Sequence, residues 1–169
     1  MQTLVGVIGA SAAPQRVLDA AFETGIEIVR AGYSLICGGL GGVMEAACRG
    51  AHSVVGDHSG RIIGVLPGHD KYDANPYVDV VIATGMGYAR NSIIACTADA
   101  LIAVSGGSGT LSEIALAWQY GKPIIVLRDL PGFVEQLIDQ ALDSRRNDRV
   151  LGAQSPGEAL ALVRSMLEP

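Results

Sequence analysis

Charge is scarce in this chain, and lysine is scarcer still. Only 17% of the 169 residues are charged, the formal net charge is −5, and the lysines are Lys71 and Lys122 alone. No basic run is present, so no nucleic-acid partner is expected, because a phosphodiester backbone demands a positive face. The ten arginines still suffice for one small anionic ligand. Pyridoxal chemistry is not expected either, since it needs a Schiff-base lysine. Lys122 falls in a turn before Pro123, and Lys71 falls in a polar loop.

Metal and disulfide frameworks are equally absent. Cys37, Cys48 and Cys96 lie far apart with no Cys-x-x-Cys, and His52, His58 and His69 have no ligand spacing. The cysteines read as reduced, buried thiols, the histidines as surface or loop residues, and no metal is expected. No apolar run nears the ~18 residues of a membrane span. The N-terminus has no basic n-region, and Leu4 to Gly9 is too short for a signal sequence. The expectation is a cytoplasmic protein without a membrane partner.

Apolar residues, by contrast, make up 49% of the chain. The length suits one domain over 1–169 with one large core. So apolar a chain with so little charge should cover much of its surface, in a two-sided sheet and in a subunit interface. A homodimer or higher homo-oligomer is expected.

Short apolar runs alternate with segments of helical period. Strands are expected at Thr3 to Ile8, Tyr33 to Cys37, Arg61 to Leu66, Val78 to Ala83, Ala100 to Val104 and Ile124 to Leu127, with a further short one near Val150. Helices are expected from Pro14 to Gly32, Val43 to about Ala51, Tyr88 to Thr97, after Thr110, and after Ser155-Pro156 with Leu160, Val163 and Leu167 inward. The tail from Gly132 reads as mostly helical. The stretches Asp57 to Gly60 and Gly68 to Pro76 read as loops, and Arg145 to Arg149 as a solvated one. Trp118 reads as a core or interface residue. Continuous Val/Ile/Leu strands are buried on both faces and belong to parallel sheets covered by helices. The fold class is therefore α/β, a three-layer α/β/α Rossmann-like sandwich with a mainly parallel sheet.

Glycine-rich turns cluster where such strands end: Gly9-Ala10-Ser11, Gly38 to Gly42, Gly85-Met86-Gly87 and Ser105 to Thr110. In an open parallel sheet these ends share one edge, where ligands bind. Glycine brings backbone N–H groups close to a ligand. The helix beyond Thr110 aims its positive N-terminus there, and Ser108 and Thr110 add hydroxyls, so a phosphate is the expected guest. Thr110-Leu-Ser-Glu113 also reads as a capping box, a purely structural use of Glu113. No Gly-Lys-Ser/Thr is present, so this is not a P-loop NTPase, and no Gly-x-Gly-x-x-Gly follows the first strand.

The run Gly106-Gly107-Ser108-Gly109-Thr110-Leu111-Ser112-Glu113 resembles the Gly-Gly-x-Gly-Thr-x-x-Glu motif of the LOG-like (lonely-guy) superfamily, whose members long carried the label lysine decarboxylase. Gly38-Gly39 with Gly42-Val43-Met44 is similar to its upstream glycine loop. Ala89-Arg90-Asn91 and Ser112 to Ala117 look most like its molybdenum-cofactor carrier branch. The resemblance implies a strand order of 3-2-1-4-5-6-7. Pro67 to Tyr77 would then cross from the sheet edge to beside strand one, within the reach of up to ~35 Å that eleven residues allow.

The carrier branch implies a protein that binds a nucleotide monophosphate or molybdopterin-type ligand without turning it over, and that requires no cofactor. Gly9, Ser11, Gly38, Gly39, Gly42, Met44, Arg90, Asn91 and Gly106 to Thr110 with Glu113 would line the site. The enzyme branch implies a phosphoribohydrolase that splits a nucleoside 5′-monophosphate into base and ribose 5-phosphate, with Arg90 and Glu113 catalytic. Those enzymes usually have Pro where Ser105 stands and Glu-Arg-Lys where Ala89-Arg90-Asn91 stands, so the carrier reading leads. A regulatory or scaffolding oligomer, its glycine loops mere turns, is the third reading.

Overall fold

The computed structural model describes residues 1–54 and 61–167. The expected loop at Asp57 to Gly60, with His58, lies outside the described residues. Seven strands form one sheet in which every pair is parallel: β1 (Leu4–Gly9), β2 (Ser34–Cys37), β3 (Ile62–Leu66), β4 (Val80–Ala83), β5 (Ala100–Val104), β6 (Ile124–Leu127) and β7 (Leu151–Ala153). The helices are α1 (Gln15–Arg30), α2 (Val43–His52), α3 (Asn91–Thr97), α4 (Ser108–Gln119) and α5 (Pro156–Leu167). This is the expected Rossmann-like α/β sandwich.

Strand and helix patterns explain the layers. β2, β5 and β6 are buried along their whole length, so side chains of both parities meet apolar partners. One face of the sheet, with Val5, Val7, Leu35 and Ile102, packs on α1, α2 and α5. The other, with Ile8, Ile36, Leu101 and Ala103, packs on α3 and α4 through Ile94, Ile114 and Trp118. On α5, Leu160 and Val163 are buried and Leu167 packs on the core, as the period requires. Ser155 Oγ accepts from Glu158 N at 3.2 Å, which caps that helix, and a Glu158 carboxylate oxygen accepts from Gln154 N at 2.6 Å.

The strand order is β4-β3-β2-β1-β5-β6-β7, not the expected 3-2-1-4-5-6-7. β4 does not cross to β1; it adds outside β3, and β1 pairs with β5. An apolar run reads alike in a central and an edge strand, but here Val80 and Ile82 are 45% and 42% exposed. Asp79 locks the pairing: its N–H donates to Ile62 O and its carboxylate accepts from Ile62 N, each at 2.9 Å. The long crossing therefore falls later, between β4 and β5. A 3-10 turn over Gly87–Arg90 touches β3 and α3 touches β1, so this crossing passes over the carboxyl edge of the sheet.

Two smaller expectations also change. The tail after Gly132 forms one 3-10 turn, Phe133–Leu137, and is otherwise irregular up to β7. The arginine-rich loop is not simply solvated. Arg146 lies 4.5 Å above the Trp118 ring and donates to Lys122 O at 2.8 Å, while Trp118 Nε1 donates to Asp143 at 2.9 Å. Trp118 is thereby sealed into the core.

α1 and α2 approach so closely that two glycines are obligatory. A Cβ on Gly25 would collide with Ala47 O, and one on Gly50 with Phe22 O. Gly50→Ala is expected to cost about 1–3 kcal/mol through overpacking, read as a fall in thermal midpoint. Gly109→Ala, whose Cβ would meet nothing within 4 Å, is expected to cause no such fall.

Candidate functional site

The strand order reverses between β1 and β5, and a cleft of about 1030 Å³ opens at their carboxyl ends. Five chain segments wall it: the turn after β1, the loop after β2, Pro67 at the end of β3, the first turn of α4 after β5, and the crossing that leads into α3. Of the residues singled out in the sequence, Gly9, Ser11, Gly38, Met44, Arg90, Asn91, Gly107, Ser108, Gly109, Thr110 and Glu113 line the cleft. Gly39, Gly42 and Gly106 stand behind its wall.

Those three glycines shape the wall. Gly42, at φ +68°, lies against Ala10 and Ser11 so tightly that any Cβ would enter their backbone, and Val43 N donates to Ala10 O at 3.0 Å. The first two loops are thus interlocked. Gly106, at φ +135°, has no room for a Cβ because Thr110 fills the space. Ser105 beside it is itself at φ +63°, its hydroxyl donating to Pro131 O.

α4 starts at Ser108 with Gly107 as its N-cap, earlier than the sequence pattern suggested. Thr110 is inside the helix, so the capping-box role of Glu113 is not realised. No side chain caps this N-terminus. Glu113 turns instead to Arg90, whose Nη1 donates to a carboxylate oxygen of Glu113 at 3.2 Å. Both residues are nearly sealed from water, at 9% and 6% exposure. Arg90 Nε is buried with no hydrogen-bond partner among the described residues. Gly38 makes the seat for this guanidinium: a Cβ there would meet Arg90 Nη2 and, at 2.6 Å, Met44 Sδ.

Burial pushes the Glu113 carboxyl up to about 7, against the pull of the Arg90 charge and hydrogen bond. Beside the pair, Asn91 Nδ2 donates to Ser112 Oγ at 2.8 Å, and Ser112 Oγ donates to Gly109 O at 2.6 Å. Leu40, Pro67 and Tyr88 add apolar and aromatic surface to the cleft.

Sequence reasoning did not find Leu40, Pro67, Tyr88, Ser112 or Asn75. Asn75 is the most telling. Its Nδ2 donates to Gly39 O and Leu40 O, both at 3.1 Å, so it holds the second glycine loop from a distant segment. An Asn before a Pro reads locally as a turn, and nothing local reports that reach.

The SLOG cluster4 family model matches residues 2–160. The chain belongs to that family. This SLOG cluster4 protein is similar to the molybdenum cofactor binding protein of the phototrophic bacterium Rippkaea orientalis, with a TM-score of 0.86 and 36% identity over 99% of this chain and 98% of the other. It is similar to the molybdenum cofactor carrier protein of Chlamydomonas reinhardtii, with a TM-score of 0.83 and 33% identity over 99% and 100%. The cytokinin riboside 5′-monophosphate phosphoribohydrolase LOG of Oryza sativa subsp. japonica is 34% identical over 130 residues, 71% of this chain but 51% of its own length. The SLOG cluster4 chain therefore spans about half of that enzyme. The family agrees with the resemblance carried by the glycine motifs. No helix among the described residues is long and apolar enough to cross a membrane.

Glu113 ties stability to pH. Its folded value near 7 stands above the ordinary 4.5, so across that interval the native state keeps a proton that the unfolded chain releases. Stability then falls as pH rises from about 4.5 to about 7, by about 3 kcal/mol at most. Urea midpoints measured across this range should show the decline in the wild type and a flatter profile in Glu113→Gln.

Proposed function

We propose that the cleft holds a phosphate-bearing, nucleotide-like small molecule, and that the protein carries this ligand rather than consuming it. One observation supports the reading above others: the first-turn amides of α4, at Ser108, Gly109 and Thr110, open uncapped into the cleft beside a buried guanidinium with an unpartnered Nε. A helix N-terminus and a cation together favour an anion. The phosphate sits on Gly107 to Thr110, with Arg90 and Ser11 beside it. Met44, Leu40 and Tyr88 offer surface to a planar heterocycle, and Asn91 offers a polar contact. A cleft of about 1030 Å³ admits a nucleotide or a pterin phosphate. Near-complete overlap with molybdenum cofactor binding and carrier proteins favours the pterin class.

The second reading is a phosphoribohydrolase, and Glu113 is the observation that favours it. A carboxyl titrating near neutrality, paired with Arg90, could orient water against an oxocarbenium-like transition state while the arginine holds the phosphate. Ser105 weighs against it. The hydrolases resembled here usually place Pro at this point, and φ +63° is closed to proline. A proline at 105 could not follow the backbone path that this loop takes into the glycine run.

Nucleoside 5′-monophosphates and pterin phosphates are expected to raise the thermal midpoint, and no free base should appear. Gly109→Ala should bind about tenfold more weakly or worse while remaining as stable as the wild type, because Gly109 lines the cleft and an added methyl there meets no other group of the protein. Base release that disappears in Glu113→Gln would replace the carrier by the hydrolase. A flat thermal response across the whole panel would leave the regulatory or scaffolding oligomer.

We also propose that the working form is a homodimer or larger homo-oligomer. α3 and α4 cover the sheet face over β1, β5 and β6 but leave it bare at β4, where Val80 and Ile82 lie open. Tyr72 and Met86, in the segments before and after β4, are exposed as well, at 83% and 50%. A second copy is the occupant expected there. Light scattering should give at least twice the chain mass, and Ile82→Arg should shift it to the monomer; a wild-type monomer would refute the assembly.

A further inference from the structure

Two thiols lie directly behind the cleft wall. Cys37 ends β2, and Cys48 sits one turn beyond Met44 on α2. Their sulfurs are 3.5 Å apart, and both residues are sealed from solvent. Hydrogen bonds tie the pair to the second glycine loop. Gly39 N donates to Cys37 Sγ at 3.3 Å, and Asn75 Nδ2, which grips Gly39 O and Leu40 O, also reaches Cys48 Sγ at 3.7 Å. Between sulfur and cleft stands Gly38, in contact with the Arg90 guanidinium and Met44.

The two sulfurs are chemically unlike. Its hydrogen bond with Cys48 holds the Cys37 thiol below its usual range, helped by Gly39 N–H and the Arg90 charge against the effect of burial. Cys48 is pushed up, by its hydrogen bond with Cys37 and by burial. The Gly39 amide aimed at Cys37 Sγ, with the Arg90 guanidinium beyond Gly38, favours the thiolate on Cys37 and so makes it the nucleophile, with Cys48 3.5 Å away as the resolving thiol.

We infer that Cys37 and Cys48 form a reversible disulfide that resets the cleft wall, so that oxidation weakens ligand binding. The oxidant is a small hydroperoxide that reaches the pair during local opening of the fold, because the closed fold seals both thiols. The Cys37 thiolate attacks one oxygen of hydrogen peroxide, the O–O bond breaks, and a sulfenic acid and hydroxide result. The Cys48 thiol then attacks the Cys37 sulfur, gives up its proton, and expels the sulfenic oxygen as water. Two thiols and one peroxide yield one disulfide and two waters. A dithiol reductant reverses the bond by thiol–disulfide exchange.

Bond formation shortens the sulfur separation from 3.5 Å to about 2.05 Å. The missing ~1.5 Å is taken up by turning both side chains, which are buried among the core residues of β2 and α2, and by a shift of those two elements against each other. A close-packed interior passes such a shift on rather than absorbing it. The groups next in line are Gly38 to Leu40 and Met44, all of them on or just behind the cleft. The effect on affinity rests on the ligand reading above; the bond itself does not.

The test uses Cys96→Ser protein, which removes the one exposed cysteine among the described residues. Folded protein is treated with hydrogen peroxide and analysed by intact mass, peptide mapping and hydrogen exchange. Expected are the loss of two hydrogens per chain, a Cys37–Cys48 cross-linked peptide, and altered exchange at Gly38 to Leu40, all reversed by dithiothreitol. Calorimetry with adenosine 5′-monophosphate and with a pterin phosphate should show about tenfold weaker binding after oxidation. Adding Cys37→Ala or Cys48→Ala should abolish the cross-link and the exchange change. Two thiols that still titrate after treatment, with no cross-linked peptide, would overturn the proposal. So would a cross-link that changes neither exchange nor affinity. Reduced protein that binds neither probe refutes the ligand reading alone, and the peptide map with the exchange data still decides the disulfide.

Discussion

A guanidinium and a carboxylate face each other at 3.2 Å, nearly shut off from water, and the carboxyl edge of the sheet is arranged around them. Arg90 can lie where it does only because Gly38 carries no side chain. Glu113 can meet it only because α4 begins early enough to put that carboxylate on its second turn. Such a pair is a weak source of stability, since stripping water from both charges offsets much of their attraction. The raised titration point of Glu113 expresses that cost. An arrangement that costs this much, and leaves one guanidinium nitrogen without a partner, is more economically understood as a site than as a brace.

Around this pair the wall is made of backbone rather than of side chains. Gly42 lets the second loop press into the first, and Gly106 lets the third fold over Thr110. Loops packed that closely behave as one rigid lip. Their support comes from the rear, where Asn75 clamps two carbonyls of the second loop. The same side chain reaches Cys48, so the thiol pair and the lip share a single point of attachment.

Most of the fold was legible because its signals are local. Six apolar runs and the helical period between them identify the α/β sandwich, and glycine turns after the strands mark the working edge. Strand order was not legible, because a run such as Val78 to Ala83 looks the same whether helices cover it or not. Within the site, Arg90, Glu113 and the glycines were readable from a motif. Their pairing was not, since Thr110 and Glu113 obey the spacing of a helix cap as well as they obey that of a functional carboxylate. Where α4 starts decides between the two, and that depends on Ser105 and Gly106 turning sharply at positive φ. Asn75 and the meeting of Cys37 with Cys48 are products of tertiary folding alone, and no spacing in the chain foreshadows them.

The place of β4 has one more consequence. The chain leaves this outermost strand, returns over the sheet, and sets down Arg90 near the middle, so the guanidinium is the far end of a strap whose near end is the most solvent-washed strand. Whatever grips Arg90 also draws that strap taut. A guest in the cleft would thereby act as a clasp, steadying a border of the molecule that it never touches.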